Sequence, residues 1–180
     1  MDVITWRPGR RTAIVINLLA LVVFALGLVL FGLPVVLLSR TGGRIVVGFG
    51  GLLLLVVFIL LLGLGHEAIH GLVMRRYGAH PRFGAAMLAK IVPVFYTAAP
   101  GHHFSRAQYL VLTAAPCVAI SIVGLIFCAT PVGAYLFLPL AVHFAGCTGD
   151  GAIIWRVLQE PKGTVVEDLL DGLRFHPLGV

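Results

Sequence analysis

Long apolar runs alternate with short polar connections along the chain, and four of these runs are long enough to cross a bilayer. A membrane-spanning α-helix needs about 20 predominantly apolar residues. The pattern therefore predicts an all-α membrane protein with about four transmembrane helices. The predicted spans are Ala13–Leu38, Ile45–Met74, Tyr109–Ala129 and Val132–Leu158. We expect residues 1–160 to form a single transmembrane domain and residues 161–180 to form a polar cytoplasmic tail, with a short acidic helix at Pro161–Gly172.

The connection between the second and third spans, Arg75–Arg106, is too long for a simple turn. Its residues 85–99, AAMLAKIVPVFYTAA, are semi-apolar and rich in β-branched and aromatic side chains. This segment is too short for a fifth span, and Pro93 would confine any strand here to the edge of a sheet. We therefore predict a membrane-associated hairpin or re-entrant segment. An amphipathic surface helix is the alternative.

Basic residues flank the predicted spans unevenly. With four spans, all but two of the 13 Lys and Arg residues lie on one side of the membrane, and only Arg40 and Arg44 lie on the other. In membrane proteins the cytoplasmic connections carry the excess of Lys and Arg. We therefore expect both termini and the middle connection to be cytoplasmic, and the membrane to be a prokaryotic cell membrane.

Composition supports a membrane protein and argues against two other classes. Hydrophobic residues make up 59% of the chain and charged residues only 11%, whereas soluble domains are about one quarter charged. The net charge of +6 does not indicate a nucleic-acid partner, because the basic residues lie between apolar runs and not on one face of a soluble domain. The three cysteines lie inside apolar runs without a Cys-x-x-Cys pair, so no disulfide framework is expected.

The second predicted span contains the segment HEAIH, residues 66–70. Such polar side chains are costly in hydrocarbon unless they are paired, bound to a metal or exposed to water. His66 and His70 are four residues apart, so a helix presents them on one face, one turn apart. Glu67 lies beside them, where it can reach an attacking water. This arrangement is typical of two zinc ligands and a general base. Satisfied core histidines are the alternative.

Asp150 is the candidate for a third ligand, which catalytic zinc usually requires. It lies six residues before Arg156, and His70 lies five residues before Arg75. At about 1.5 Å per residue, both are within roughly 10 Å of the same predicted membrane edge. A cation is the natural partner of an intramembrane aspartate. A salt bridge to a flanking arginine is the alternative to a metal.

Five further polar residues are candidates for positioning a ligand or binding substrate. His143 and Cys147 share a helical face with Asp150. Asn17 lies at a similar depth in the first span, and His102 and His103 precede the third span. The alternatives are packing for Cys147, an interhelical hydrogen bond for Asn17 and an ordinary interfacial position for the two histidines before the third span.

These motifs resemble those of the site-2-protease class of intramembrane zinc metalloproteases. They are most similar to the membrane family called putative zincin peptidases. The resemblance rests on HEAIH at 66–70 and on Asp150-Gly151 near the end of a later span. It also rests on what lies between them: a basic exit, the hairpin region and Ala-Ala-Pro at 114–116. It covers roughly Ile45–Leu158.

By this resemblance, His66, His70 and Asp150 would bind Zn²⁺ and Glu67 would activate water. The chain departs from the better-known members in one respect. Those members carry an asparagine and prolines shortly before the aspartate, whereas residues 141–149 read AVHFAGCTG here. The role of that asparagine in holding substrate therefore does not transfer to this chain.

We therefore expect an intramembrane zinc metalloprotease that hydrolyses a membrane-protein or peptide substrate near the cytoplasmic leaflet of the lipid bilayer. A strand edge at Ile91–Thr97 would hold the unwound substrate as an added strand. The alternative is a non-proteolytic metal-binding membrane protein, either an inactive homologue or a transporter. Against it, Glu67 is retained, and the polar residues gather at one membrane edge and do not form a path. A closer alternative takes its third ligand from a downstream glutamate, Glu160 or Glu167.

Overall fold

The computed structural model describes residues 3–38, 48–88, 92–170 and 172–177. The protein is mostly helical. Within the described residues, four helical segments are long and apolar enough to span a membrane. They are α1 (Arg10–Leu38), α2 (Phe49–Arg76), α3 (Arg106–Cys128) and a fourth segment made of α4 (Gly133–Gly146) and α5 (Thr148–Leu158). This confirms the predicted fold class and indicates a membrane protein.

The observed helices match the predicted spans to within a few residues. α1 and α3 begin at Arg10 and Arg106, slightly before the apolar runs, because the polar flank still gains helical backbone hydrogen bonds. Residues 45–47 of the predicted second span lie outside the described residues. Cys147 separates α4 from α5, but its N–H still donates to the carbonyl of His143 (3.1 Å).

Six strands accompany the helices in the described part of the chain. They are β1 (Ile4–Trp6), β2 (Arg82–Leu88), β3 (Val92–Ala98), β4 (His103–Ser105), β5 (Val165–Leu169) and β6 (Gly172–His176). Four of them form an antiparallel sheet in the order β1-β6-β5-β4, and β2 pairs with β3. The sequence analysis did not predict the four-stranded sheet.

The middle connection contributes the pair β2–β3. The strands pair antiparallel from Arg82 opposite Ala98 to Leu88 opposite Val92. The described residues of the segment 85–99 are therefore mainly extended, and the alternative of a surface helix is wrong for them. The placement of this pair against a bilayer stays a prediction.

The C-terminal segment forms a β-hairpin, so the expected acidic helix at Pro161–Gly172 is wrong. β5 and β6 pair antiparallel, with Val166 opposite Phe175 and Glu167 opposite Arg174. Two features explain the difference. The segment starts with β-branched residues, and its side chains alternate between the two faces of the sheet as a strand requires.

The chain divides into two compact units. Unit 1 comprises Met1–Ile14, His66–Pro116 and Asp150–Val180, and unit 2 comprises Val15–Gly65 and Cys117–Gly149. In unit 1 the sheet packs its inner face into an apolar core. Phe104, Val166 and Phe175 lie side by side on three adjacent strands, and all three are fully buried. Burial of each such side chain contributes about 1.5–3 kcal/mol, so this row fixes the sheet on the helices of unit 1.

Arginine side chains tie the end of α5 to its neighbours in unit 1. Arg106, at the start of α3, donates from Nε to the carbonyl of Val157 (3.1 Å) and from Nη2 to that of Leu158 (2.9 Å). Both carbonyls lie at the end of α5, where helical donors run out; that of Val157 also accepts from the N–H of Glu160 (3.1 Å). Arg156 stacks over the ring of Phe175 at 4.5 Å from the ring centroid. The start of α3 and the sheet are thereby fixed relative to α5.

Unit 2 packs through small residues and aromatic contacts. Gly27 on α1 lies so close to α4 that a Cβ atom there would be 3.1 Å from the Cα of Ala141. Phe31 is fully buried and meets Phe144 edge to face, with ring centroids 6.0 Å apart. Small residues allow such close approach of membrane helices.

Gly172 is the position where the sheet tolerates no side chain. A Cβ atom there would lie 2.2 Å from the backbone oxygen of Trp6 on β1. We expect Gly172→Ala to separate β1 from β6 and to lower stability by about 1–3 kcal/mol, as overpacking usually does. Thermal unfolding in detergent, followed by tryptophan fluorescence, measures the change. Gly9→Ala, at a position with open space around it, is the matched control. A wild-type melting temperature for Gly172→Ala would contradict the expectation.

Candidate active site

The two histidines of HEAIH project from the same face of α2. Their Nε2 atoms are 3.1 Å apart, and the rings are nearly perpendicular, with an interplanar angle of 77°. This follows from their spacing, because residues four apart in a helix lie one above the other. The two ring nitrogens therefore converge on one point beside the helix.

Asp150, in the first turn of α5, completes this cluster. Its Oδ2 lies 3.1 Å from Nε2 of His66, and its Oδ1 lies 3.6 Å from Nε2 of His70. The structure thus brings together the three residues predicted as ligands, with one ligand atom from each within 4.8 Å of the others. Ligand atoms of a tetrahedral zinc ion, at about 2.0–2.2 Å from the metal, lie about 3.3–3.6 Å from one another. The three residues therefore fit a shared zinc ion in both donor type and spacing.

The tautomer of His70 is set by a carbonyl of α3. Nδ1 of His70 lies 3.1 Å from the backbone oxygen of Leu112, so Nδ1 carries the proton and donates. In the neutral ring Nε2 then has a free lone pair, and it faces the cluster. Metal-binding histidines usually have such a partner on the other nitrogen, because it fixes both ring orientation and tautomer.

Pro116 explains why the Leu112 carbonyl can accept this bond. It lies inside α3, four residues after Leu112. In a regular helix the N–H of residue 116 would donate to that carbonyl, but proline has no N–H. The carbonyl is therefore left without a helical donor, and His70 supplies one. The Ala-Ala-Pro segment at 114–116 thus has a direct structural connection to the histidine cluster.

Glu67 lies on α2 beside this cluster and is tied to β3. The hydroxyl of Thr97 donates to the backbone oxygen of Glu67 (3.0 Å). A cavity of about 140 Å³ contains Glu67 together with His70 and Asp150. Its other lining residues are Met74, Tyr96, Thr97, Tyr109, Leu112, Thr113, Ile153 and Asp168. A carboxylate and two of the three converging residues therefore face one small, partly open cavity.

Comparison with known families agrees with this geometry. The sequence model of a family described as "Putative zincin peptidase" matches residues 58–165, more than half of the chain. The chain belongs to this family. No curated protein and no solved structure matches it significantly. Membership indicates a zinc metallopeptidase and implies Zn²⁺ as the cofactor.

The zincin cavity contains one carboxylate that the sequence analysis missed. Asp168 lies on β5, is 8% exposed, and accepts a hydrogen bond from the hydroxyl of Tyr109 at 3.1 Å. Burial, opposed in part by this hydrogen bond, raises the pKa of Asp168 to about 7. The signal was present in the sequence, because strand alternation places Asp168 on the same face as Val166. It was overlooked because the segment was assigned to an acidic helix.

The neighbouring carboxylate, Glu167, projects from the opposite face of β5 and is well paired. Its Oε2 accepts from Arg174 (3.0 Å) and His176 (3.1 Å), and its Oε1 accepts from the N–H of Gly101 (3.1 Å). Burial raises the pKa of Glu167, but the bonds from His176, Gly101 and Arg174 outweigh it and hold this pKa below its usual value. Glu160 forms an ion pair with Arg156. Both glutamates considered as alternative third ligands are thus engaged elsewhere.

The two histidines predicted before α3 pack against other aromatic rings of unit 1. The His103 ring packs against His176, and the His102 ring packs against Phe104, each with centroids 4.5 Å apart. Neither histidine is among the described residues that line the cavity.

Asn17, His143 and Cys147 belong to unit 2. There the thiol of Cys147 donates to the backbone oxygen of His143 (3.4 Å), and its sulfur lies 3.9 Å from the Nε2 of that residue. Roles of Asn17, His143 and Cys147 toward a metal or a substrate stay predictions.

The proline that frees the Leu112 carbonyl provides a test of this arrangement. Pro116→Ala restores a backbone N–H that competes with His70 for the carbonyl. We expect affinity for zinc to fall about tenfold or more, because loss of a ligand's hydrogen-bond partner has effects of that size. Competition with a fluorescent chelator measures the affinity. Pro139→Ala is the matched control, since Pro139 also lies inside a helix but belongs to unit 2. Equal affinities for wild type and Pro116→Ala would contradict the assignment.

Proposed function

We propose that this zincin is an intramembrane zinc metalloprotease that cleaves membrane-protein or peptide substrates near the cytoplasmic leaflet. One observation carries the proposal: His66, His70 and Asp150 converge on a common point, and Glu67 lies beside them in a small cavity. Neither rival glutamate joins that group, because Glu160 and Glu167 are held by other partners.

His66, His70 and Asp150 would hold the zinc ion. When bound, the ion supplies Lewis-acid polarisation of the scissile carbonyl and lowers the pKa of the attacking water. Glu67 acts as the general base: it removes a proton from the attacking water and returns it to the leaving amine. His70 keeps its Nε2 lone pair available throughout, because its Nδ1 proton is held by the carbonyl of Leu112.

The depth of the site supports cleavage near one membrane surface. His70 lies on the last turns of α2, which ends at the basic pair Arg75 and Arg76. Asp150 lies on α5, whose last turn carries Arg156. By the positive-inside rule these basic ends face the cytoplasm. Both termini of the chain and the tail at 161–180 would then be cytoplasmic, with the protein in a prokaryotic cell membrane.

β3 is the proposed platform for the substrate. Helical peptide bonds are shielded by their own hydrogen bonds, so a membrane substrate must become extended before cleavage. Among the described strands, β3 pairs only with β2 and has a second edge available. Tyr96 and Thr97 on β3 line the cavity, and Thr97 also bonds to the backbone of Glu67. A substrate strand added to this edge would pass beside the general base.

Zinc content tests the ligand assignment directly. In detergent-purified protein we expect about one zinc ion per chain in wild type and in Glu67→Gln, and less than about 0.1 in Asp150→Ala. Elemental mass spectrometry gives the ratio. Glu160→Gln is the matched carboxylate control and should keep its zinc. Retention of zinc in Asp150→Ala, with loss in Glu160→Gln, would favour the zincin type with a downstream glutamate.

Cleavage assays then separate a protease from a non-proteolytic metal protein. Wild type in proteoliposomes should cleave some members of a panel of single-span peptides, and Glu67→Gln should be slower by about 10²–10⁴-fold. Mass spectrometry of the products gives cleavage position and rate. Stoichiometric zinc without any cleavage by wild type would favour the inactive homologue or transporter.

Proline substitution along β3 tests the substrate platform. Backbone N–H groups in a strand point alternately to its two edges. We therefore expect prolines introduced at Val92 and from Val94 to Thr97 to reduce cleavage about tenfold or more at every second position, where a bond to the substrate is lost. Position 93 is already proline. The position Ile91 of the predicted edge lies outside the described residues. Unchanged cleavage at every position in variants that keep their melting temperature would exclude strand addition here.

A further inference from the structure

The cavity beside the proposed metal site is lined by one carboxylate more than a divalent cation would neutralise. Three carboxylates line it: Glu67, Asp150 and Asp168. Histidines bind metals in their neutral form, so His66 and His70 would add no positive charge to a loaded site. With Asp168 ionised, which its pKa of about 7 allows above neutral pH, one zinc ion and three carboxylates would leave a net charge of about −1. A positive group that enters this space would then be attracted to it.

Of the three carboxylates, Asp168 is the one without a role in the proposed function. Glu67 has a role as general base and Asp150 as metal ligand in the proposed function, whereas Asp168 has no cationic partner among the residues that the structure describes. It is only 8% exposed. Burial of a charge without a cationic partner is costly, so a cation that binds Asp168 would favour its ionised form. A comparison within the same strand supports this reading, because Glu167 on the opposite face is paired with Arg174 and His176.

Tyr109 holds the Asp168 carboxylate in place. The phenol donates to Oδ1 at 3.1 Å, so its proton is directed at Asp168 and not at the proposed metal ligands. The apolar side chains Met74, Leu112 and Ile153 line the same cavity. A carboxylate held by the Tyr109 hydroxyl beside these apolar side chains is suited to bind an ammonium group, because charge-assisted hydrogen bonds are strong. In a loaded site Asp150 would be bound to the metal, which leaves Glu67 and Asp168 as the carboxylates of this cavity that could meet such a group.

We propose that Asp168 binds a primary ammonium group of the substrate next to the scissile bond. This inference rests on the proposed protease function and names its substrate class: peptides with a lysine side chain or a free N-terminus at the site. Lysine is the source that membrane topology favours. Spans of membrane proteins carry Lys and Arg at their cytoplasmic ends, which is the depth proposed for this site.

Binding measurements in a catalytically inactive background test the proposal without requiring turnover. The protein is zinc-loaded Glu67→Gln in detergent. The probes are fluorescent, N-acetylated peptides with one apolar segment and a single lysine, glutamine or norleucine at its flank. A glutamine peptide with a free N-terminus tests the second source. Fluorescence anisotropy gives the dissociation constants.

We expect the lysine peptide to bind about tenfold or more tightly than the norleucine peptide, as a charge-assisted hydrogen bond would provide. Adding Asp168→Asn should reduce this ratio to within about twofold, with little change for norleucine and no loss of zinc. The isosteric amide oxygen can still accept from Tyr109, so the fold should persist. Glu167→Gln, on the opposite face of β5, should keep the full ratio.

Some results would overturn the proposal, and one would change the source of the ammonium group. Equal binding of all the peptides, or failure of any to bind, would contradict an ammonium site. Equal weakening of lysine and norleucine peptides by Asp168→Asn would give Asp168 a purely structural role. Preference for the free N-terminus with no preference for lysine would support the ammonium site but assign it to peptide ends.

Measuring both peptide binding and wild-type cleavage separates this inference from the proposed protease function. Charge discrimination in binding, without cleavage by the wild-type protein, would refute the protease and retain the cation site. Cleavage by wild type without any discrimination between lysine and norleucine would refute the cation site and retain the protease.

Discussion

The hydrogen bond from His70 to the carbonyl of Leu112 is the interaction on which the candidate site depends. A metal-binding imidazole must be neutral, correctly rotated and protonated on the distant nitrogen. In an apolar helix bundle few acceptors can impose this, because every helical carbonyl is already bonded to its own chain. The proline in α3 removes one donor and so creates one acceptor, at the position where α2 presents its second histidine. The proline in α3 thereby sets the tautomer of a histidine on α2.

The four-stranded sheet of unit 1 supports the site from one side and adds one residue to the cavity. Its inner face contributes the buried row Phe104, Val166 and Phe175, and on the same face Asp168 reaches the cavity. Its outer face carries Glu167 within a network of Arg174 and His176. Adjacent residues of one strand thus meet very different surroundings. The paired glutamate stabilises the hairpin, whereas the unpaired aspartate carries a raised pKa that is typical of functional groups.

Much of this arrangement could be predicted from the sequence, because it depends on local patterns. Apolar runs of sufficient length define the helices, and the four-residue spacing of HEAIH defines a shared helical face. The distance of Asp150 from a basic helix end placed it at the depth of His70 without any knowledge of packing. The structure places Asp150 beside both histidines, although nothing in its immediate sequence identifies a partner.

The sheet could not be predicted in the same way, because its pairing is non-local. β1 and β4 have only three residues each, too few for a periodicity to appear, and their partners lie far along the chain. The acidic residues of β5 also resemble a solvated helix when read alone. Asp168 was missed for this reason. The bond between His70 and Leu112 was missed because the sequence does not indicate which helix faces the proline.

The pairing of β1 with β6 also has a consequence for the order of events during biosynthesis. Ile4–Trp6 precede the described helices, whereas their partners Leu173–Phe175 follow them. The pairing of the sheet therefore cannot be complete until β6 has been synthesised. The described helices are thus made before the strand that carries Asp168, so the cavity acquires this carboxylate after Glu67 and Asp150.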